Sequence, residues 1–175
     1  MARGQGDGED GQAELRPRPP PRIRTRLADT PRHYKALGYA LGTFADGAAY
    51  IAAATSTDPI ELARAYTVER PFELLENYII EFARAGLEEA KVAVDEISGR
   101  QALRALADQE VISNALRDRL IEIHDLRNQL AHDYPDVRAQ KLYEAACALQ
   151  PLVQEFMRRY LKWLDTLGFA VPRVA

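Results

Sequence analysis

The sequence predicts an all-α protein, a compact antiparallel bundle of four to five helices. Apolar residues recur at steps of three and four over several long segments, the signature of one buried helical face. No useful stretch alternates apolar and polar residues with a period of two, so a sheet is not expected. The breaks between periodic segments are short and carry Ser, Asp, Gly and Pro, as connections within a helical bundle do.

Residues 1–30 read as a disordered Pro/Arg-rich tail, first Gly, Gln and acids and then LRPRPPPRIRTR. Its basic strip is expected to be solvated, with an arm that contacts RNA or an acidic partner as the alternative. The helical domain is placed at residues 31–175. Thr30-Pro31 has the form of a helix start, threonine as cap and proline at the first helical position. Tyr34, Leu37, Leu41, Phe44, Ala48 and Ile51 then keep a four-three rhythm.

A turn at Ser56-Thr57-Asp58-Pro59 leads into a second helical region reaching about Ile97, which Pro71 is expected to kink or divide. Beyond it, Leu75, Tyr78, Ile79, Phe82, Gly86, Glu89, Ala90 and Ala93 trace a core-facing stripe. Ser98-Gly99 ends that helix, and a short one follows from Arg100 to Ala107. The next spans about Glu110 to Tyr134. The last begins near Asp136 and carries the most regular pattern, Leu142, Ala146, Leu149, Val153, Phe156, Tyr160, Trp163 and Leu167, with a bend expected at Pro151.

A chain of 175 residues fits one ordinary domain, and its 47% apolar and 28% charged residues are those of a soluble globular protein. No apolar run approaches the roughly 18 residues of a membrane span, and the first residues lack a secretory core, so no membrane association and a cytoplasmic location are expected. Cys147 is the single cysteine, which excludes an intramolecular disulfide and a cysteine cluster; within YEAACALQ it reads as a small core residue. His33, His124 and His132 lie far apart and form no metal-ligand spacing, so neither a metal nor another cofactor is expected. A net charge of −3 argues against a protein that coats nucleic acid, although a local cluster can still grip a few nucleotides.

The segment with the most chemistry is RNQLAHDY, Arg127 to Tyr134. Ile112, Leu116, Leu120 and Ile123 lie on one helical face, and the same steps continue to Arg127, Leu130 and Tyr134. A permanent charge therefore stands in a burial seam, where an unpaired ion costs several kcal/mol. His132 falls roughly 140° around an ideal helix from Arg127. The two converge only if the helix ends between them, which Pro135 favours, or if they meet across a symmetric dimer; a helix ending near Tyr134 with its last turns facing a second copy combines both. An arginine and a histidine near a helix C-terminus also suit the negative end of its dipole. His124 reads as a packing or capping residue, and Arg117 and Arg119 as solvated.

The spacing Arg-x4-His-x-Tyr, with Asn128 directly after the arginine, resembles the signature of the HEPN superfamily, and in particular its HepT-like toxins. The flanking VISNALRDRLIEIHDL and DVRAQKLYEAACALQPLVQEFMRRYLKWL resemble the last two long helices of that family, and with the segment from about Tyr66 to Val94 the likeness covers most of residues 32 to 167. It implies a metal-independent endoribonuclease toxin that acts as a homodimer and is neutralised by a nucleotidyltransferase antitoxin of the MNT type. Carried onto this chain, it makes Arg127 and His132 catalytic, Asn128 supporting, and Tyr134 the acceptor of AMP from the antitoxin. His132 has the ordinary pKa range for proton transfer at the 2′-hydroxyl and the leaving oxygen. Arg127 offers paired donors to a phosphate whose charge builds in the transition state. RNA would be the substrate and DNA, lacking the nucleophile, would resist. The competing function is a non-catalytic HEPN helical module that binds a nucleotidyltransferase or a nucleotide.

Overall fold

Six helices were found where four to five were expected, in a computed structural model that describes residues 16–93, 97–129 and 135–172. They are α1 (Pro21–Gly42), α2 (Gly47–Ala54), α3 (Pro59–Glu89), α4 (Gly99–Asp108), α5 (Asn114–Gln129) and α6 (Pro135–Thr166). The described residues contain no strand, so the all-α class holds. None of these helices is long and apolar enough to cross a membrane.

The first helix starts at Pro21 and not at Thr30-Pro31. Pro21 satisfies the same preference for proline at the first helical position, and Pro31 is carried inside the helix. An interior proline costs about 3 kcal/mol, and tertiary packing on both sides of it offsets that cost. Ile23 is fully buried, as is Leu37. The arginines that suggested a solvated arm instead bind acids of the same chain: Arg16 pairs with Asp165, Arg22 with Glu88, and Arg26 with Glu81. At the other end of the chain, the amide of Ala170 donates to the carbonyl of Pro17 at 2.8 Å.

The rhythm expected to run unbroken from Tyr34 to Ile51 is interrupted after Gly42. Asp46 caps a new helix by accepting the amide of Ala49 at 2.8 Å. The change of register puts Tyr50 and Ala53 into the core where Ala48 and Ile51 were expected, and Tyr50 stacks on Tyr143 of α6.

Helix α3 passes through Pro71 undivided and is the central element, in contact with α1, α2, α4, α5 and α6. It therefore buries more than the single stripe read from sequence. Leu75, Tyr78, Ile79 and Phe82 are buried as expected, and so are Phe72, Ile80, Ala83 and Leu87 on a second line. At Gly86 a Cβ would stand 2.5 Å from Trp163 and 2.8 Å from the Tyr160 hydroxyl, so glycine there sets how closely α3 and α6 approach. Helix α6 buries Leu142, Ala146, Leu149, Val153, Phe156 and Tyr160, all on the expected face. Cys147 does not share that face: Ala145 and Ala146 occupy the core positions, and the thiol is exposed beside Tyr143.

Candidate functional site

Helix α5 begins later than the expected Glu110. Glu110 itself has a left-handed backbone (φ 56°) that closes α4, with the Val111 amide bonded back to the Leu106 carbonyl at 2.9 Å. Ser113 then caps α5 by accepting the amide of Leu116 at 3.2 Å. From there Leu116, Leu120 and Ile123 are buried in turn. The next step on that face is Arg127, as the seam predicts.

What meets Arg127 is Glu76 of α3. This carboxylate is 3% exposed, and its Oε2 lies 4.0 Å from Arg127 Nε. Its other oxygen, Oε1, lies 2.5 Å from Nδ1 of His124. A buried carboxylate left without partners would cost several kcal/mol, and His124 and Arg127 are the partners that answer Glu76. Oε2 accepts no hydrogen bond from the described residues, which leaves Arg127 as the charge that answers it.

Asn128 closes the circuit. Its Oδ1 accepts from Arg127 Nη1 at 3.3 Å, and its Nδ2 lies 3.4 Å from His124 Nε2. Glu76, His124, Asn128 and Arg127 thus form one ring of polar contacts. Arg127 keeps 36% of its side chain exposed.

The His124 ring reaches this position because α4 starts with a glycine. A Cβ at Gly99 would stand 2.8 Å from both Cε1 and Nε2 of His124. The adjoining cap is firmly made: Ser98 accepts the Gln101 amide while the Gln101 side chain accepts the Ser98 amide. Beside it, Arg100 donates to Asp125 at 2.5 Å, and that bond raises the guanidinium above its ordinary pKa. Ser98, Arg100, His124, Asp125, Asn128 and Gln129 line an open polar groove of about 400 Å³.

Of the four residues singled out from the sequence, Arg127 and Asn128 are brought together here. His132 and Tyr134 lie outside the described residues. Arg117 pairs with Asp118 and Arg119 with Glu122, away from the groove. His124, read as a packing or capping residue, is instead the partner of a buried carboxylate. Glu76 was missed, although a signal existed. Phe72, Glu76, Ile80, Ala83 and Leu87 form a second helical stripe on α3, interrupted by one acid just as the stripe of α5 is interrupted by one base.

Among the described residues, no three His, Cys, Asp or Glu side chains group closely enough to hold a metal ion. No curated protein and no solved structure matches this chain. A family model described as Ribonuclease HepT-like matches residues 61–160, from the first turn of α3 through the buried Tyr160 of α6, and so contains Glu76, His124, Arg127 and Asn128. With more than half of its length matched, the chain belongs to the HepT-like ribonuclease family.

Proposed function

We propose that this protein is a metal-independent endoribonuclease toxin of the cytoplasm, working as a two-fold dimer and neutralised by a nucleotidyltransferase antitoxin. The observation that carries the reading is Arg127, an arginine in a burial seam, steadied by Glu76 yet partly exposed beside Asn128, within the span of the family match. Arg127 binds the scissile phosphate and stabilises the charge that builds on its oxygens. His132 transfers a proton, and Asn128 orients the guanidinium. The attacking group is the neighbouring 2′-hydroxyl, so the products are a 2′,3′-cyclic phosphate and a 5′-hydroxyl.

The test uses purified protein on a single-stranded RNA and on the same oligonucleotide with 2′-deoxy sugars. Only the first is expected to be cut, with the termini just named, and EDTA is expected to leave the rate unchanged. Cleavage to 3′-hydroxyl ends, or loss of activity in EDTA, would point to another mechanism. Binding of the oligonucleotide without any cleavage would favour the non-catalytic helical module.

Neutralisation acts through Tyr134 in this reading. AMP on its phenol brings a phosphate towards the arginine that must bind substrate phosphate, which is sufficient to block the site. Tyr134→Phe is expected to retain most of the ribonuclease activity and to escape the antitoxin on co-expression. Peptide mass spectrometry that finds AMP on another residue removes Tyr134 from this role.

A further inference from the structure

The basic strip that leads into α1 is only partly used within the chain. Arg16, Arg22 and Arg26 take acids of α3 and α6, but Arg18 and Arg24 have no acidic partner among the described residues. Both line a cavity of about 410 Å³ beside Leu27 and Pro172. Leu27 and Pro172 also line a second cavity, of about 520 Å³, between α1 and α6, so the two adjoin along one trough. We propose that this trough docks an amphipathic helix of a partner protein, one whose apolar stripe is flanked by carboxylates.

The walls have the spacing that such a guest requires. Leu27, Pro31 and Tyr34 follow one another at steps of four and three on α1, and Val153, Met157 and Leu161 at steps of four on α6. Val153 and Leu161 are buried, Leu27, Tyr34 and Met157 are half-buried, and Pro31 is exposed. From Arg24 to Tyr34 the α1 wall runs for about 15 Å at 1.5 Å per residue, close to three turns of a docked helix. Apolar residues on one face of that helix, one turn apart, enter between the two rows.

Charge selects the guest. Arg18 and Arg24 line the first cavity, and Arg158 of α6, likewise without an acidic partner among the described residues, lines the second. Among the described residues, no carboxylate lines either one. Three unanswered guanidinium groups around an apolar floor repel a basic segment and hold an acidic one. A second copy docking by the same face about a two-fold axis would set these arginines against themselves. RNA fits less well: Tyr34 is the one aromatic side chain among the described residues that line the trough, and bases need rings to stack on.

The experiment follows the fluorescence anisotropy of a labelled peptide of about 18 residues, with leucine at alternating three- and four-residue steps and glutamate between, as the full chain is added. The wild type is expected to bind it with a Kd of roughly 1–100 µM. A peptide of the same composition with its leucine stripe scrambled should bind about tenfold more weakly. Reversing the rim, with Arg18→Glu, Arg24→Glu and Arg158→Glu together, should weaken binding of the glutamate peptide about tenfold and let the protein take the same peptide with lysine in place of glutamate. These three positions are exposed, so the reversal leaves the fold in place, which circular dichroism checks. Met157→Glu, between the rims, should weaken both interactions. No binding at about 100 µM, equal binding of the scrambled peptide, or equal binding by the reversed rim overturns the proposal. So does displacement of the peptide by a single-stranded RNA, which would make the trough a nucleic-acid surface. A light-scattering mass that falls in Met157→Glu overturns it too, by making the trough the seat of a second copy.

Discussion

Replacing His132 by alanine is expected to lower RNA cleavage by about 10²- to 10⁴-fold, and replacing Arg127 by about 10²- to 10³-fold, each with its helical content unchanged. The histidine effect is the loss of proton transfer in the transition state, so it should fall on kcat more than on KM. The arginine effect is the loss of charge stabilisation, and it has a second source. Without the guanidinium, Glu76 keeps only its contact with His124, and Asn128 is free to turn its amide. Arg127→Lys restores the charge without the planar fork and is expected to recover only part of the rate. Initial rates on a short fluorogenic RNA measure all three variants, and either alanine variant cleaving at the wild-type rate removes that residue from the site.

The largest effect on stability is expected at Phe82. Its ring is fully buried between α3 and α6, with centroids 5.1 Å from Tyr160 and 6.4 Å from Phe156. Truncating a buried phenylalanine to alanine costs about 3–5 kcal/mol, through lost transfer energy and the cavity left behind. For a chain of this size that lowers Tm by on the order of 10 °C. The neighbouring helices have little room to close on the space, because at Gly86, one turn further on, Trp163 and Tyr160 of α6 already stand too close to α3 to admit a Cβ. Phe82→Leu keeps most of the volume and should cost under about 1.5 kcal/mol. Calorimetry of the two variants gives the comparison, and equal Tm losses would show that the aromatic contacts, and not the volume, hold the helices together.

Much of the helical framework was legible because α5 and α6 each bury a single face, and a single face writes a plain three-four rhythm. The stripe from Leu142 to Tyr160 is seen in the core as the rhythm predicts. Two features defeated that reading for physical reasons. Between Gly42 and Gly47 the apolar residues keep their spacing across a real break, and only the capping side chain of Asp46 marks it. In α1, Pro31 looked like a start because prolines seldom sit inside helices, and the arginines before it looked solvated because their partners lie up to 149 residues away.

The candidate site was half legible. Arg127 announced itself by breaking an apolar seam. Glu76 is hidden among the many residues α3 buries, since a charge one step from an apolar stripe ordinarily faces water. Its role follows only from α3 and α5 being neighbours. The matching interruptions, an acid in one seam and a base in the other, are a pattern that sequence alone can pose and packing must resolve.

The bond from Ala170 to Pro17 and the pairing of Arg16 with Asp165 hold the segment that leads into α1 beside α6 and the segment that follows it. A helical domain whose first and last segments meet is tolerant of circular permutation. A short peptide from Ala170 to Pro17 would close the helical domain into a ring. New ends could then be opened in the exposed turn near Thr57, between α2 and α3. The order in which the six helices are strung along the chain is therefore separable from the way they pack.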